Sequence, residues 1–345
     1  MNEKLFEVYK LNDTLILQNR IAMAPITRCF ANDDLVPTED MIKYYSSRGD
    51  LGLIITEATL ISKEAQGYPN QPGIFTNEQI EAWSKVTKGV HEKGGKIFSQ
   101  LFHAGRLSHS IYTNRTPLAP SSVAFDERMP RSELMYEEPK ALTTNEIKRI
   151  INDFVQASKN AIEAGFDGIE FHVANGYLPD QFLHQVTNQR NDEYGGSVEN
   201  RARFILEAID KMVEAIGKNR VAIRLSPHAY LHMSYVQGDE DTFVYLLKEL
   251  EKRELAYIHT GIYDDSEIVP YLNGKVSEFM RDNYRGNLIA NGSYSIEQSN
   301  NAIDENKFDI IAFGRLAVAN PDLVEKIKTN KSLETYDNDS LNILI

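Results

Sequence analysis

The chain has 345 residues, of which 42% are hydrophobic and 25% are charged, and its formal net charge is -13. This length and composition are typical of a globular enzyme, and an α/β barrel fills such a length as a single domain. The excess of negative charge excludes sequence-independent binding to nucleic acid or to an anionic membrane surface, because both need clustered Lys and Arg.

The first residues of the chain, MNEKLFEVYKLND, lack the apolar run of a signal peptide. No run in the chain approaches the ~20 apolar residues of a membrane span. Cys29 is the single cysteine, which excludes an intrachain disulfide and any zinc or iron-sulfur site built from cysteines. We therefore expect a cytoplasmic protein with no membrane partner, no nucleic-acid partner and no bound metal.

Short apolar runs rich in β-branched residues recur along the chain, and each ends in polar residues or glycine. The runs are Ile21–Met23, Leu53–Thr56, Lys96–Gln100, Gly168–His172, Arg220–Arg224, Ala256–His259, Leu288–Asn291 and Ile310–Gly314. Eight strands separated by helical segments predict an α/β fold, a single (β/α)8 TIM barrel. A doubly wound sheet is the alternative, but the chain contains no G-x-G and so lacks the dinucleotide fingerprint.

The segments between these runs carry helix signals. Capping-box spacing occurs at Thr76 with Gln79, Thr143 with Glu146 and Ser295 with Gln298, and Asn320-Pro321 predicts an N-cap followed by proline at the first helical position. Residues 105–142, after the third strand, contain four prolines and no sustained period. They predict a lid or capping insertion within one domain, residues 1–345, because the segment is too short to bury its own core.

Barrel enzymes carry their reacting groups at the carboxyl ends of the strands. Here these ends offer polar residues of several kinds, together with two glycines: Thr27, Arg28, Glu57, Gln100, His103, His172, Asn175, Tyr177, Arg224, His259, Asn291 and Arg315, with Gly292 and Gly314. Such a concentration of charged and hydrogen-bonding side chains predicts an active site at this end of the barrel.

The segment FHVANGYLPDQFLHQVTNQRNDEYGGSVENRARF, at 171–204, resembles the signature of the Old Yellow Enzyme family. Six further blocks resemble the family in the same order: APITR at 24–28, IITEAT at 54–59, SQLFHAGR at 99–106, IRLSP at 223–227, IANGSY at 289–294 and AFGRLAVANPDL at 312–323. The resemblance covers about residues 5–335. It implies an NADH:flavin oxidoreductase that carries FMN, draws electrons from NADH or NADPH, and reduces activated alkenes in a ping-pong cycle.

The resemblance also assigns the catalytic residues. His172 and Asn175 are expected to donate hydrogen bonds to the substrate carbonyl or nitro group, and Tyr177 to supply a proton as a general acid. Phe102 and His103 are expected to join them in binding a small-molecule electrophile. For His103 a structural role is an equal alternative, and His259 is expected to be a packed or hydrogen-bonded residue of the barrel rim.

For FMN, the resemblance implies one extended set of contacts: Ala24, Pro25, Ile26, Thr27, Ala58, Gln100, His172, Arg224, Asn291, Gly292, Gly314 and Arg315. Arg224 suits the N1/C2 edge, where reduced flavin is anionic, and Gln100 the pyrimidine edge. Gly292, Gly314 and Arg315 suit the phosphate, which barrels bind after strands seven and eight. The alternatives to FMN binding are an internal salt bridge for Arg224 and ordinary turn positions for Gly292 and Gly314.

Two other functions are compatible with the residues: an FMN-binding sensor with little turnover, and a flavin-free barrel lyase or aldolase that uses a lysine. The strand ends offer no such lysine, which weighs against the second. The chain also ends before the glycine- and tyrosine-rich tail of many relatives. Substrate shape and the choice between monomer and homodimer are therefore left open.

Overall fold

Parallel strands that close on themselves form the centre of the molecule. In the computed structural model, which describes residues 4–130, 132–228 and 231–344, each barrel strand pairs in parallel with the next, and the last pairs with the first. The barrel strands are β3 (Ile21–Met23), β4 (Leu53–Ile55), β6 (Lys96–Phe102), β9 (Gly168–Val173), β10 (Val221–Leu225), β11 (Ile258–Thr260), β12 (Leu288–Ala290) and β13 (Ile310–Phe313). The eight predicted runs coincide with these strands, and the predicted TIM barrel is confirmed. The outermost residues of the predicted domain, 1 and 345, lie outside the described residues.

Shorter strands and the helices surround this barrel. The remaining strands are β1 (Tyr9–Lys10), β2 (Ile16–Leu17), β5 (Thr59–Leu60), β7 (Leu118–Ala119) and β8 (Lys140–Ala141). The helices are α1 (Glu39–Ser47), α2 (Asn77–His91), α3 (Ser110–Thr113), α4 (Thr144–Glu163), α5 (Leu178–Leu183), α6 (Val198–Ile216), α7 (Asp239–Glu251), α8 (Val276–Asn283), α9 (Ile296–Asp304), α10 (Arg315–Ala319) and α11 (Leu323–Lys328). Among the described residues, none of these helices has the length and apolar character that crossing a bilayer requires.

The barrel strands are buried on both faces, as the continuous apolar runs predict. Along β9, for example, Phe171 points outward and packs edge-on against Phe154 of α4, with ring centroids 4.7 Å apart. The alternate residues Glu170 and His172 share the inner face with residues of the neighbouring strands. At β9 the outer face is therefore apolar, whereas the inner face presents polar side chains.

The helix starts follow the sequence signals with one exception. Thr76, Thr143 and Ser295 each form the expected capping box at the start of α2, α4 and α9. The predicted N-cap at Asn320 is wrong, because α11 begins at Leu323. The Asn320 side chain instead bonds the backbone of Glu334, with its amide donating to the carbonyl and its oxygen accepting from N–H. These two bonds fix the segment after α11 against the barrel.

Residues 105–142 contain α3 and the paired strands β7 and β8, which run parallel to each other. Phe125 of this segment lies edge-on to His232 in the loop after β10, with ring centroids 5.4 Å apart. The Arg106 guanidinium lies over the Phe125 ring and donates to the His232 carbonyl. These contacts join the segment to the loop that follows β10.

His184, which follows α5, is buried between two carboxylates. Its ring nitrogens lie 3.2 Å from Asp180 and 3.4 Å from Asp239. Although burial opposes the charged form, Asp180 and then Asp239 raise the pKa of the His184 imidazole to about 9. The histidine is therefore an imidazolium at neutral pH, and it links α5 to the start of α7.

This ion pair predicts a loss of stability in alkali. The pKa of His184 in the folded state lies above the ordinary value of 6.5. The charged imidazole therefore contributes fully to the free energy of unfolding below about pH 6.5, and this contribution disappears as the pH rises through about 9. Each pKa unit corresponds to about 1.4 kcal/mol. Chemical unfolding at several pH values measures this effect. The free energy of unfolding of the wild type is expected to exceed that of His184→Gln at low pH, and the difference is expected to shrink as the pH rises from about 6.5 through about 9. A constant difference between the two proteins would contradict the assigned charge.

Candidate active site

A cavity of about 900 Å³ opens at the carboxyl ends of the strands. Loops after β3, β11, β12 and β13 line it, together with Arg224 of β10 and residues 333–336 beyond α11. Its lining contains seven of the predicted cofactor residues: Pro25, Ile26, Arg224, Asn291, Gly292, Gly314 and Arg315. Its size lies within the range of sites for small organic ligands. The described lining contains no lysine, so an amine nucleophile of a lyase or aldolase has no place in this cavity.

One end of the cavity offers donors suited to a phosphate. The Arg315 guanidinium crosses from α10 and donates to Tyr263 Oη at 2.8 Å and to Ser293 Oγ at 2.9 Å. Gly292 has φ +121°, a backbone conformation that residues with a Cβ rarely adopt. A Cβ there would also approach Asp265 to 2.7 Å, so packing as well as backbone conformation requires glycine. The Arg315 guanidinium, the Ser293 hydroxyl and the backbone at Gly292 thus lie close together after β12 and β13.

The other end of the cavity reaches the polar interior of the barrel. The parallel ladders place Arg224 directly beside His172 on one side and His259 on the other. Glu170 accepts hydrogen bonds from Gln100 Nε2 at 2.8 Å and bonds His259 Nδ1 at 2.9 Å. Glu170 is a buried anion: although burial opposes the charged form, His259 and then Arg224 lower the pKa of its carboxyl group. His259 is hydrogen-bonded inside the barrel, as predicted.

Aromatic rings surround the predicted catalytic residues. The Tyr177 ring lies edge-on to Phe102, with centroids 4.4 Å apart, and to His172, with centroids 5.0 Å apart. The Tyr177 hydroxyl also hydrogen-bonds the hydroxyl of Tyr68, with the oxygens 2.9 Å apart. His172, Phe102 and Tyr177 therefore form one cluster, and Asn175 lies two residues before Tyr177 in the turn after β9.

His172 is a neutral hydrogen-bonding group. Burial and then the neighbouring Arg224 cation lower the pKa of the imidazole to about 3. Nδ1 of His172 is buried and has no hydrogen-bond partner among the described residues. Since an unpaired polar atom in a protein interior is costly, this nitrogen is suited to a bound ligand. A neutral imidazole has one donor and one acceptor nitrogen.

Burial also affects Tyr177, whose pKa lies well above the ordinary value because the phenol is shielded from water. The phenol therefore stays protonated throughout the physiological range and holds a proton that it can transfer. Its hydrogen bond to the half-buried Tyr68 connects that proton to a second phenol.

The other predicted cofactor residues surround the same region. Ala24 bonds through its backbone N–H to Phe313 of β13, and Thr27 follows the cavity-lining Ile26. The turn after Thr27 is held by Glu57, which accepts the backbone N–H groups of Arg28 and Cys29. Ala58, the next residue, is buried. Ala24, Thr27, Ala58, Gln100 and His172 do not line the large cavity itself.

His103 has contacts of a structural kind. Its Nδ1 accepts the backbone N–H of Gly105 at 3.1 Å, and its Nε2 lies 4.0 Å from the Glu64 carboxylate. Neither partner belongs to the cavity lining or to the aromatic cluster. The bond to Gly105 is the kind of contact that the structural alternative for His103 expects, and Nε2 is buried with no hydrogen-bond partner among the described residues.

Three features of the site were missed at the level of sequence. Glu170 is the buried anion, and Tyr68 contributes the second phenol. Residues 333–336 form part of the cavity wall. The sequence contained a signal for Glu170, because a carboxylate within an otherwise apolar strand is expected to have a buried polar partner. Tyr68 lies 109 residues from Tyr177, and nothing in its local sequence predicts their contact.

The arrangement fits a flavin mononucleotide. The cavity joins an anion-binding end at Arg315 and Ser293 to a barrel centre that presents Arg224, a permanent cation. The phosphate of FMN suits the first of these groups, and the N1/C2 edge of the flavin, which is anionic in the reduced state, suits the second. The unpartnered Nδ1 of His172 lies one strand away from Arg224.

Comparison with known proteins agrees with this geometry. The family model described as NADH:flavin oxidoreductase / NADH oxidase family matches residues 4–334. A probable flavin mononucleotide-dependent alkene reductase of Leishmania infantum is 39% identical, over 93% of this chain and 89% of the relative. The solved Old Yellow Enzyme homologue of Zymomonas mobilis is 36% identical with a TM-score of 0.92, covering 98% of this chain and 96% of that chain. Morphinone reductase in complex with tetrahydroNAD is 40% identical with a TM-score of 0.90, covering 98% and 93%.

Proposed function

Because the chain belongs to the NADH:flavin oxidoreductase / NADH oxidase family, we propose that it is an FMN-dependent ene reductase of the Old Yellow Enzyme type. It takes electrons from NADH or NADPH and reduces activated alkenes such as enones, nitroalkenes and quinone-like electrophiles. The observation that carries this function is the cluster of His172, Tyr177 and Phe102 beside a cavity that contains Arg224. When bound, FMN supplies the hydride chemistry of both half-reactions.

His172 and Asn175 bind the oxygen of the activating carbonyl or nitro group. Both offer neutral donors, and negative charge develops on that oxygen as hydride reaches the β-carbon. Donors that are already oriented stabilise this charge without reorganisation, which contributes a few kcal/mol per donor. Burial strengthens the effect because water does not compete.

Tyr177 delivers the proton to the α-carbon. Its phenol is protonated at physiological pH, and it packs directly against the His172 and Phe102 rings. A substrate held by His172 therefore presents its α-carbon to a fixed general acid. Phe102 closes the pocket with an apolar surface, which suits the carbon skeleton of the alkene.

The FMN contacts extend over the predicted set. Arg224, Gln100 and His172 are suited to the flavin edge. Ala24, Pro25, Ile26, Thr27 and Ala58 are suited to the ring system, and Asn291, Gly292, Gly314 and Arg315 to the ribityl phosphate. We include residues 1–345 in one FMN-binding domain with residues 105–142 as its cap. The contacts of Phe125 and Arg106 with the loop after β10 support this cap. We also propose a cytoplasmic location, which agrees with a sequence that has one cysteine and therefore no intrachain disulfide.

Arg315 predicts a test of the phosphate site. Charge-assisted hydrogen bonds to a phosphate contribute about 1.5–3 kcal/mol, so Arg315→Ala is expected to weaken FMN binding by about tenfold to a hundredfold. Riboflavin, which has no phosphate, is expected to bind both proteins with nearly equal affinity. Fluorescence titration of the flavin-free protein measures both. Arg128→Ala, on the exposed surface, is the control. An equal loss for FMN and riboflavin would contradict the assignment.

The function itself is tested by the absorbance of the purified protein. Bands near ~370 and ~450 nm are expected from bound oxidised flavin. NADH or NADPH is expected to bleach them under anaerobic conditions, and 2-cyclohexenone to restore them. Absence of flavin would contradict the proposal. Bleaching without recovery on any enone, nitroalkene or quinone would instead indicate an FMN-binding sensor.

A further inference from the structure

The turn that carries Asn175 and Tyr177 has a left-handed backbone conformation at two successive residues. Between β9 and α5, Asn175 has φ +61° and Gly176 has φ +78°. Asparagine is one of the few L-residues that adopt the left-handed conformation, because its short polar side chain can form local hydrogen bonds. A turn of this kind keeps one geometry only when neighbouring groups hold its backbone.

Two polar side chains hold the amides of this turn. Asp180 Oδ2 accepts the backbone N–H of Gly176 at 2.8 Å, and Ser226 Oγ accepts the backbone N–H of Asn175 at 2.9 Å. Ser226 Oγ in turn lies 3.5 Å from the same Asp180 oxygen. One carboxylate oxygen is therefore linked, directly and through Ser226, to both residues with positive φ.

The other oxygen of Asp180 is fixed as well. Asp180 Oδ1 lies 3.2 Å from His184 Nε2, and the second nitrogen of His184 faces Asp239. Asp180 and His184 are almost fully buried, so these contacts are protected from water. The Asp180 side chain consequently has one orientation, with one oxygen toward the imidazole and one toward the turn.

We propose that Asp180 is a positioning residue for the reaction: it holds the backbone of the Asn175–Gly176 turn and thereby aims Asn175 and Tyr177 at the substrate. The inference rests on the proposed roles of these two residues. Asp180 itself lies behind the turn, bonded to the Gly176 amide, and does not line the cavity. Its removal is expected to impair substrate binding and protonation while FMN binding persists, because the FMN contacts lie mainly on other strands.

Asp180→Asn tests the proposal in the FMN-loaded protein. The amide keeps the size of the side chain but has only one acceptor oxygen. The charged His184 attracts that oxygen more strongly than the neutral Gly176 N–H does, so the NH2 group faces the turn and the bond to Gly176 is lost. A misplacement of about 1 Å costs up to about a hundredfold in rate, so we expect a loss of at least about tenfold in kcat/KM for 2-cyclohexenone and in affinity for 4-hydroxybenzaldehyde. FMN content and the rate of anaerobic bleaching by the nicotinamide are expected to stay within about twofold of the wild type.

Asp239→Asn is the matched control. It also removes a carboxylate beside His184, but Asp239 bonds the backbone N–H groups of Gln185 and Val236 and does not touch the turn. We expect a similar loss of thermal stability without the loss of enone reduction or phenol affinity. If the two variants lose kcat/KM and phenol affinity equally, or if neither loses them, the proposal is overturned.

Ser226→Ala gives a second measurement that does not depend on the folding of Asp180→Asn. It removes the bond to the Asn175 amide and leaves the Asp180 ion pair intact. A smaller loss of phenol affinity is expected, and unchanged affinity would contradict the proposal. The wild type separates the two levels of inference: a flavin-loaded wild type that neither binds the phenol nor reduces enones overturns the proposed function, and the positioning role with it.

Discussion

Replacing Tyr177 with phenylalanine is expected to slow alkene reduction by about a hundredfold to ten-thousandfold, the usual contribution of a general acid. Flavin reduction by the nicotinamide is expected to stay within about twofold, because that step needs no proton from the phenol. The ring packing against Phe102 and His172 is retained, so the substitution removes little besides the hydroxyl. Anaerobic stopped-flow absorbance measures the two half-reactions separately.

Tyr194→Phe is the matched control for this variant. Tyr194 is also buried and also loses a single hydrogen bond, to Glu207 at 2.8 Å, but it lies outside the aromatic cluster. Neither half-reaction is expected to change. Equal slowing of both half-reactions in Tyr177→Phe would contradict its role as the proton donor.

The second large effect is expected from His172→Ala, which removes one of the two donors to the substrate oxygen. Loss of such a donor costs about a hundredfold to a thousandfold in rate. Affinity for phenol-type ligands, whose oxygen takes the place of the substrate carbonyl, is expected to fall together with enone reduction. Absorbance titration of the bound flavin measures the affinity.

The pH dependence distinguishes a neutral donor from a charged one. Since burial and Arg224 hold the pKa of His172 at about 3, its charge does not change between about pH 5 and pH 8. Enone reduction by the wild type is therefore expected to show no inflection from this residue in that range. An inflection near the ordinary value of 6.5 that disappears in His172→Ala would contradict a neutral imidazole. His91→Ala, on the outside of the barrel, is the control.

The barrel was predictable because its signals are local. Each strand is a buried apolar run that needs no distant partner to be identified, and the capping residues Thr76, Thr143 and Ser295 lie within four residues of the groups they bond. Asn320 shows the limit of such signals. Its side chain bonds Glu334, 14 residues away, and this tertiary contact replaces the helix cap that Asn320-Pro321 predicts.

The site was predictable where polar residues end a strand, as at Arg224 and His172. The hydrogen-bond partners of the site residues were not predictable, because they come from distant parts of the chain. Glu170 bonds His259 across 89 residues, and Asn175 bonds Ser226 across 51. The parallel strand order, which places β10 between β9 and β11, makes these pairs neighbours.

One pocket is proposed to pass electrons from a nicotinamide to an activated alkene in two separate steps. Anaerobic double-mixing stopped-flow, with NADH or NADPH in the first mix and 2-cyclohexenone in the second, measures these steps one after the other. We expect bleaching whose rate depends only on the nicotinamide, then recovery whose rate depends only on the alkene and is slowed in Tyr177→Phe. Recovery that requires the nicotinamide to remain bound, or that proceeds equally fast without Tyr177 and His172, would contradict it.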